Sequence, residues 1–343
     1  VNGGEIPIDS DAPQTLLEAL QLAAAQSGTR DIVYVQPDGS DVEQSYADLL
    51  LDARKVLAGL QANGVEAGDR VIFQLESNRD ILPAFWGCVL GGVLPTIAAI
   101  PPTYLEATRA FDQFRHIWQQ LGRPRVITSK AVDDRASQIA QAVSLPSASV
   151  LLIEELMAHE PSAYNHRCRP DDPLFFSTTS GSTSEPKCIP LTHRNILARA
   201  AGTNHLCRHS RDDVILSWLP FDHIGTISDW HLRCVLLRCR LVYAPKDYVL
   251  SHSLRWIDLI NRYRVTHTWA PNFAYALIND AMKDPPAVDW DLSCVEAFLS
   301  AGEAVSASVV ERLLDYLGPY RLKSTTIRPA FGMAEMGSGV TYR

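Results

Sequence analysis

The chain has 343 residues, more than one ordinary compact core accommodates, so two packed subdomains are expected. It is 46% hydrophobic and 20% charged, a composition that excludes a disordered chain and favours a soluble globular protein. The formal net charge of -8 argues against a general affinity for nucleic acid or anionic membranes. The negative net charge does not exclude ATP as a ligand, because a local loop in an acidic protein can still bind phosphate.

Cysteine usage and the longest apolar stretch bear on the compartment. Seven scattered cysteines form no framework of close pairs, and no signal peptide is evident, which together predict a reducing, cytoplasmic location. The apolar stretch at residues 81–100 is interrupted by glycines and by Pro95, which favours a buried helix, a turn and a strand over a membrane span. The first residue is Val1, which suggests a piece of a longer protein.

Strands and helices alternate along the first half of the chain. β-rich runs predict strands at residues 31–36, 70–75, 95–100 and 125–129, and helical spacing of apolar residues predicts helices at 45–63, 80–90 and 105–121. Ser45 and Asp48 have the spacing of a helix-capping pair. This rhythm favours an α/β fold with largely parallel sheets.

The same rhythm resumes after a polar, proline-containing segment at residues 156–173, which is the predicted connection between two subdomains. We therefore predict an N-terminal α/β subdomain at 1–170 and a second at 171–343. Strands are predicted at 214–218, 240–243, 266–269 and 297–300, and helices at 254–263, 273–282 and 306–317.

Residues 175–187 form the most informative segment, since hydroxyl side chains, one glycine and one lysine are concentrated between a predicted strand and a predicted helix. Backbone N–H groups, hydroxyls and an ammonium suit a triphosphate. A polar surface linker is the alternative. The spacing is not that of a Walker loop, which disfavours a P-loop kinase or ATPase. The predicted phosphate-binding residues are Thr179, Ser180, Gly181, Ser182, Thr183, Ser184 and Lys187.

Three more segments follow in order, at residues 217–223, 300–305 and 330–335. Together with the phosphate segment they resemble the adenylate-forming superfamily, which includes acyl-CoA synthetases, peptide-synthetase adenylation domains and fatty acyl-AMP ligases. Residues 218–225 and 268–274 resemble the loading adenylation domains of mixed polyketide–peptide synthetases most. The resemblance covers nearly the whole chain and implies the large N-terminal part of that fold, without its small C-terminal subdomain.

The resemblance implies activation of a carboxylic acid as acyl-AMP with ATP and Mg²⁺, then transfer to the phosphopantetheine thiol of a carrier protein, or alternatively to coenzyme A. It assigns catalytic roles to Lys187, His223 and Glu335, with Glu335 on the metal. The implied adenine-side residues are Gly302, Glu303, Phe331, Gly332, Met333 and Ala334, and the implied acyl-pocket residues are Phe221, His223, Ile224, Asn272, Phe273 and Ser300. Ser184, Cys188 and Ala334 depart from the commonest motifs.

Ile224 limits the class of carboxylic acid that the protein is expected to activate. In amino-acid-activating relatives the same position holds an aspartate, which pairs with the substrate ammonium. A buried ammonium without a counter-charge is costly, so a hydroxy, keto, aryl or fatty acid is expected. Asp222 or Asp229 supplies the charge if the alignment is displaced, which keeps an amino acid as the alternative.

Other possibilities remain. A degenerate ATP-binding scaffold is the non-enzymatic alternative. A zinc site built from His205, Cys207 and His209 with His231, Cys234 and Cys239 is disfavoured, because the spacing matches no standard zinc motif. Because the family lysine of the C-terminal subdomain and the ribose-binding aspartate are expected downstream of Glu335, residues 1–343 alone are expected to bind ATP weakly and not to complete acyl transfer.

Overall fold

A computed structural model describes residues 12–26, 31–130, 134–144, 149–179 and 185–342. The chain divides into two compact units, described in turn below. The first contains Val1–Ser27, Ser45–Gly202 and Phe221–Ile224, and the second contains Gly28–Gln44, Thr203–Pro220 and Gly225–Arg343.

The strands are β1 (Asp31–Val35), β2 (Asp41–Ser45), β3 (Arg70–Gln74), β4 (Leu94–Ile97), β5 (Arg125–Thr128), β6 (Val150–Leu152), β7 (Pro173–Thr178), β8 (Cys188–Thr192), β9 (Val214–Ser217), β10 (Arg240–Tyr243), β11 (His267–Ala270), β12 (Ala297–Ser300), β13 (Ile327–Met333) and β14 (Ser338–Tyr342). The α-helices are α1 (Leu16–Ala25), α2 (Tyr46–Ala62), α3 (Asn78–Gly91), α4 (Arg109–Gln120), α5 (Arg135–Ala142), α6 (Ile153–Leu156), α7 (His193–Cys207), α8 (Ile224–Ile227), α9 (Arg233–Leu237), α10 (Lys246–Leu250), α11 (Leu254–Tyr263), α12 (Asn272–Ala281) and α13 (Ala307–Leu317).

The first unit contains a parallel sheet in the order β4-β3-β5-β6, together with the antiparallel hairpin β7–β8. The predicted capping pair at the start of α2 is confirmed. The Ser45 hydroxyl accepts from the N–H of Asp48 at 3.0 Å, and the Asp48 carboxylate accepts from the N–H of Ser45 at 3.3 Å. Two orphan N–H groups of the first turn are thereby satisfied, which fixes where the helix begins.

The apolar stretch at 81–100 folds as predicted into a helix, a turn and a strand. Gly92 caps the C-terminus of helix α3 with a positive φ of 70°, which suits glycine, and β4 follows. Gly87 lies against α2, where an added Cβ would meet the Ala53 carbonyl oxygen at 2.9 Å. Within the described part of the chain, no helix combines the length and the apolar character needed to cross a membrane.

The second unit is organised by a sheet in the order β14-β13-β12-β11-β9-β10-β1-β2. The pairs from β1 across to β13 are parallel, and β13 pairs antiparallel with β14. Trp256 of α11 packs its ring against Trp218, Tyr275 and Phe298, with centroids 5.3–5.6 Å apart. Both units therefore confirm the predicted α/β class with mostly parallel sheets.

The two units divide the chain differently from the predicted boundary at residue 170. The segment that begins with β1 lies with the second unit, because β1 pairs with β10. Hairpin β7–β8 lies with the first unit, where Phe175 packs edge-on against Phe85 at 5.7 Å. Long-range strand pairing and ring packing have no local sequence signature. All seven cysteines fall in described segments, and none forms a disulfide.

A buried histidine makes the first unit sensitive to acid. Nδ1 of His193 accepts the N–H of Leu16 at 3.0 Å at the start of α1, and burial lowers the pKa of His193 to about 4. The unfolded chain has the ordinary value near 6.5 and takes up the proton first as the pH falls. Stability present above pH 6.5 is thus lost as the pH falls towards 4, by on the order of 2–3 kcal/mol.

We expect His193→Asn, whose amide oxygen can replace Nδ1 as acceptor, to reduce the slope of the unfolding free energy against pH between 6.5 and 4. The reduction corresponds to the uptake of one proton fewer on unfolding. Denaturant unfolding at several pH values measures this slope. The exposed His205 provides the control, since His205→Gln is expected to keep the wild-type slope. An unchanged slope in His193→Asn would contradict the assignment.

Candidate active site

The two described ends of the phosphate segment are joined by hydrogen bonds. The N–H of Thr179 donates to the carbonyl of Lys187 at 3.0 Å, and the N–H of Lys187 donates to the Thr179 hydroxyl at 3.0 Å. The intervening predicted contacts Ser180, Gly181, Ser182, Thr183 and Ser184 lie outside the described residues. The segment follows a strand, β7, and precedes a helix, α7, as predicted. The short strand β8, which the sequence did not indicate, lies between the segment and α7 and pairs antiparallel with β7.

Lys187 and Cys188 differ in their chemical availability. Lys187 is exposed, and among the described residues no carboxylate forms an ion pair with its ammonium, so its charge remains available to an anion. Burial raises the pKa of the Cys188 thiol to about 11, which keeps it protonated at neutral pH. The geometry therefore favours Lys187, not Cys188, as the reactive group at the base of the loop.

In the second unit, β11, β12 and β13 run parallel, so the turns after them emerge at one edge of the sheet. Ligands of open α/β sheets bind outside the carboxyl ends of strands. The structure brings the turns containing Asn272 and Gly302 and the Phe331 segment to this edge. Gly302 has φ +90°, a conformation that side chains disfavour. Phe331 is 60% exposed, so its ring is accessible to a flat ligand.

Two predicted binding residues hold this edge together. The Glu303 carboxylate accepts the N–H of Phe273 at 2.6 Å, near the N-terminus of α12. The Asn272 side-chain oxygen accepts the N–H of Ser306 at 3.0 Å, at the residue before α13. A carboxylate at a helix N-terminus is stabilising. Both residues therefore stabilise the turns at this edge through hydrogen bonds to the backbone. Phe273 is partly exposed.

Glu335 lies in the tight turn that connects β13 to β14. Ala334–Met336 forms a single 3₁₀ turn, closed by Gly337 with φ 69°. Gly332 and Met333 pair with Gly339 and Ser338 in the hairpin β13–β14. This hairpin was absent from the predicted strands, and the pairing explains why Gly332 is required there.

The Glu335 carboxylate fits the predicted Mg²⁺ ligand in its chemistry. It is exposed, and no hydrogen bond or ion pair engages it among the described residues. Mg²⁺ prefers oxygen ligands and is commonly held by one or two carboxylates plus substrate phosphates and water. Ala334, buried in the same turn, offers no hydroxyl for a phosphate.

The implied acyl-side residues differ in exposure. Phe221 and Ile224 are buried, and His223 is exposed just before α8. Ser300 in the second unit is fully buried, and its hydroxyl has no hydrogen-bond partner among the described groups. The same holds for the Ser217 hydroxyl, and both serines are the last residues of their strands, β12 and β9. Buried polar groups left without a partner are costly and typical of ligand sites.

Sequence reasoning missed an aromatic pair in the second unit. Trp230 stacks on Trp269 with ring centroids 6.1 Å apart and planes 5° from parallel. Trp230 lies in a π-helical turn, Ser228–Leu232, and such turns are frequent at functional sites. Trp269 lies within the segment used for subfamily resemblance, but no local pattern indicates that it meets Trp230.

Asp229, a possible ammonium partner in the sequence, is already engaged within the second unit. Its carboxylate accepts hydrogen bonds from the hydroxyls of Ser338 and Tyr342, the latter at 3.4 Å. The neighbouring Arg233 Nε donates to the Asp229 backbone carbonyl at 2.9 Å. These contacts favour a structural role for Asp229.

The six-residue zinc constellation considered in the sequence is not assembled. His205 is exposed, and His231 is buried with Nδ1 2.8 Å from the Tyr243 hydroxyl. His209 meets two residues from outside the constellation, Asp213 and His267. Burial lowers the pKa of His209 to about 4 and of His267 to about 3, so both rings are neutral at pH 7.

Comparison with known proteins identifies the family. Residues 20–343 match the AMP-binding enzyme family. A solved adenylation domain of a keto acid-selecting nonribosomal peptide synthetase module, bound to keto acyl adenylate, is 39% identical, with a TM-score of 0.93 over 99% of this chain and 63% of that one. The McyG A-PCP structure complexed with phenylalanyl-adenylate is 33% identical, with a TM-score of 0.92 over 98% of this chain and 53% of that one.

Among curated proteins, microperfuranone synthase of Emericella nidulans is 28% identical over 313 residues, which is 87% of this chain and 32% of that protein. The chain spans about a third of the length of the curated relatives it matches. The fold matches the large part of an adenylation domain. The chain belongs to the AMP-binding enzyme family.

Proposed function

We propose that the protein uses ATP to activate a carboxylic acid lacking an α-amino group as its acyl-AMP, and passes the acyl group to the phosphopantetheine thiol of a carrier protein. The observation that carries this proposal is Ile224, a buried apolar residue at the position where the family resemblance implies an aspartate in amino-acid-activating relatives. A keto acid-selecting adenylation domain among the similar structures supports it.

Formation of acyl-AMP requires the protein to align the carboxylate with the α-phosphorus and to neutralise the negative charge of the phosphates. A carboxylate oxygen of the substrate attacks the α-phosphorus of ATP, and pyrophosphate leaves with the electrons of the broken P–O bond. The Lys187 ammonium and the hairpin loop would neutralise phosphate charge, and Glu335 would hold Mg²⁺. When bound, Mg²⁺ supplies charge neutralisation on phosphate oxygens. Phe331 and the Gly302 turn would position adenine, whereas Glu303 holds the turn through Phe273.

The substrate class follows from the cost of an unpaired charge. An ammonium in an apolar pocket needs a carboxylate, and loss of that partner costs several kcal/mol. Asp229 is occupied by Ser338 and Tyr342. A keto or hydroxy oxygen carries no full charge and avoids this cost. The two buried hydroxyls of Ser217 and Ser300 are hydrogen-bond donors that such polar, uncharged groups could satisfy.

We expect pyrophosphate exchange to favour a keto or hydroxy acid over the amino acid with the same side chain by about 100-fold or more, since each 1.4 kcal/mol is worth a factor of ten. The measurement compares matched trios of keto, hydroxy and amino acids. Ile224→Asp is expected to shift preference towards the amino acid, and Ile224→Asn serves as the neutral control of similar size. A clear wild-type preference for the amino acid would refute this substrate class.

An amino acid is the second candidate, because the McyG structure holds a phenylalanyl-adenylate. The acceptor is tested separately, by comparing acyl transfer to a phosphopantetheinylated carrier protein with transfer to coenzyme A. Efficient transfer to coenzyme A alone would identify an acyl-CoA ligase. Absence of exchange with every acid, despite nucleotide binding, would favour the non-catalytic scaffold.

A further inference from the structure

Two histidines and an aspartate cluster at the amino ends of strands β9 and β11 in the second unit. The proposed adenylation chemistry does not use this end of the sheet. His209 and Asp213 precede β9, and His267 is the first residue of β11. One nitrogen of each ring and one carboxylate oxygen all lie within 4.8 Å of one another. Because β9 and β11 are parallel neighbours, this is the amino edge of the strands, opposite the edge where Ser217 ends β9.

The carboxylate of Asp213 lies between the two rings. Its Oδ2 is 3.4 Å from His209 Nδ1, and its Oδ1 is 3.6 Å from His267 Nδ1. Ligands about 2.0–2.2 Å from a tetrahedral zinc ion stand roughly 3.4 Å from one another. The 3.4 Å spacing between Asp213 Oδ2 and His209 Nδ1 is therefore that of two ligands around a small cation, and it is too long for a strong hydrogen bond.

The ring nitrogens are incompletely satisfied. The side chains of His209, Asp213 and His267 are only 7%, 8% and 2% exposed. His209 Nδ1 and His267 Nε2 are both buried, and neither has a hydrogen-bond partner in the described part of the protein. A neutral imidazole nitrogen buried without a partner is costly unless a ligand occupies its lone pair.

A small cavity adjoins the cluster. It is lined by His209 and His267 together with Thr203, Cys207 and Trp230, and has a volume of about 20 Å³. A cavity of this size holds one water molecule. A site with three protein ligands and one water is the usual arrangement of an open tetrahedral zinc centre.

The surrounding charges limit which cation fits. Arg233, Arg328 and Asp229 line the same cavity. With Asp213, the two carboxylates offset the two guanidinium groups, so nitrogen donors rather than excess negative charge must hold the ion. Imidazole ligands favour zinc and its neighbours over Mg²⁺ or Ca²⁺. The Thr266 hydroxyl, 2.8 Å from His267 Nδ1 and 3.3 Å from Asp213 Oδ1, is placed to orient both side chains.

We propose that His209, Asp213 and His267 bind one Zn²⁺, with a water from the adjoining cavity as the fourth ligand. The site ties the connection between α7 and β9 to the first residue of β11, so zinc stabilises the second unit and takes no part in acyl transfer. A buried polar cluster that never binds metal is the competing interpretation.

The test uses the complete protein, produced without a histidine tag and stripped with a chelator. Titration with Zn²⁺ is expected to give one tightly bound equivalent at this site and a higher unfolding temperature. Co²⁺, used as a spectroscopic probe, is expected to give the visible absorption of a tetrahedral site. A stripped protein that binds neither metal would overturn the proposal.

Variants locate the bound ion. His209→Gln and His267→Gln are each expected to weaken zinc binding by more than about tenfold, since loss of even an outer-shell partner has effects of that size. His205→Gln, an exposed histidine on α7, is the matched control and should bind as the wild type does. Unchanged zinc and cobalt binding in both test variants would overturn the assignment. If either variant fails to fold, Asp213→Asn and the wild-type cobalt spectrum still decide it.

Discussion

Replacing Lys187 with alanine is expected to lower ATP–pyrophosphate exchange by about 100- to 1000-fold. The residue closes the phosphate hairpin through its backbone, and its exposed ammonium forms no ion pair with a described residue. The backbone bonds survive the substitution, so the hairpin should persist while one positive charge is lost. A preorganised charge on a developing negative centre contributes about 3–4 kcal/mol to the transition state.

The exchange assay for Lys187→Ala is paired with Glu335→Ala, which removes the proposed Mg²⁺ ligand. That variant is expected to lose a similar factor and to need more Mg²⁺ for half-maximal activity. Lys323→Ala, another exposed lysine, is the control and should exchange at the wild-type rate. Near wild-type rates in Lys187→Ala and Glu335→Ala would contradict the proposed roles of Lys187 in phosphate binding and of Glu335 in Mg²⁺ binding.

Gly332→Ala is expected to abolish most exchange activity through the backbone. An added Cβ would lie 2.6 Å from the Ser338 carbonyl oxygen and 2.9 Å from the Gly339 Cα. Neither atom belongs to a flexible side chain, so the hairpin β13–β14 must open or shift. Overpacking of this kind costs about 1–3 kcal/mol. The shift also moves Glu335, and a misplacement near 1 Å can cost about 100-fold in rate.

Gly318→Ala is the matched control, because φ there is -55° and nothing lies within 4 Å of an added Cβ. Thermal unfolding and exchange are measured together for both variants. Gly332→Ala should lose activity by a larger factor than its stability loss explains, since the protein remains folded at the assay temperature. Wild-type exchange in Gly332→Ala would show that the hairpin does not position Glu335.

The features that the sequence predicted correctly depend on residues close together in the chain. The capping pair of Ser45 and Asp48 fixes the start of α2, because the bonds join residues three apart. Alternating β-rich and helical runs give the α/β class. The phosphate segment could be recognised because its hydroxyls and Lys187 are consecutive in the chain, and its family could be recognised because four such segments occur in order.

Only the tertiary structure decided which distant residues meet. The pairing of β1 with β10 places an early strand in the second unit, and the stacking of Trp230 on Trp269 joins residues far apart in sequence. The same holds for His209, Asp213 and His267, whose spacing matches no metal motif. Such contacts depend on strand order and register across a sheet. Hydrophobic periodicity predicts that a strand forms, but it does not specify the neighbour with which the strand pairs.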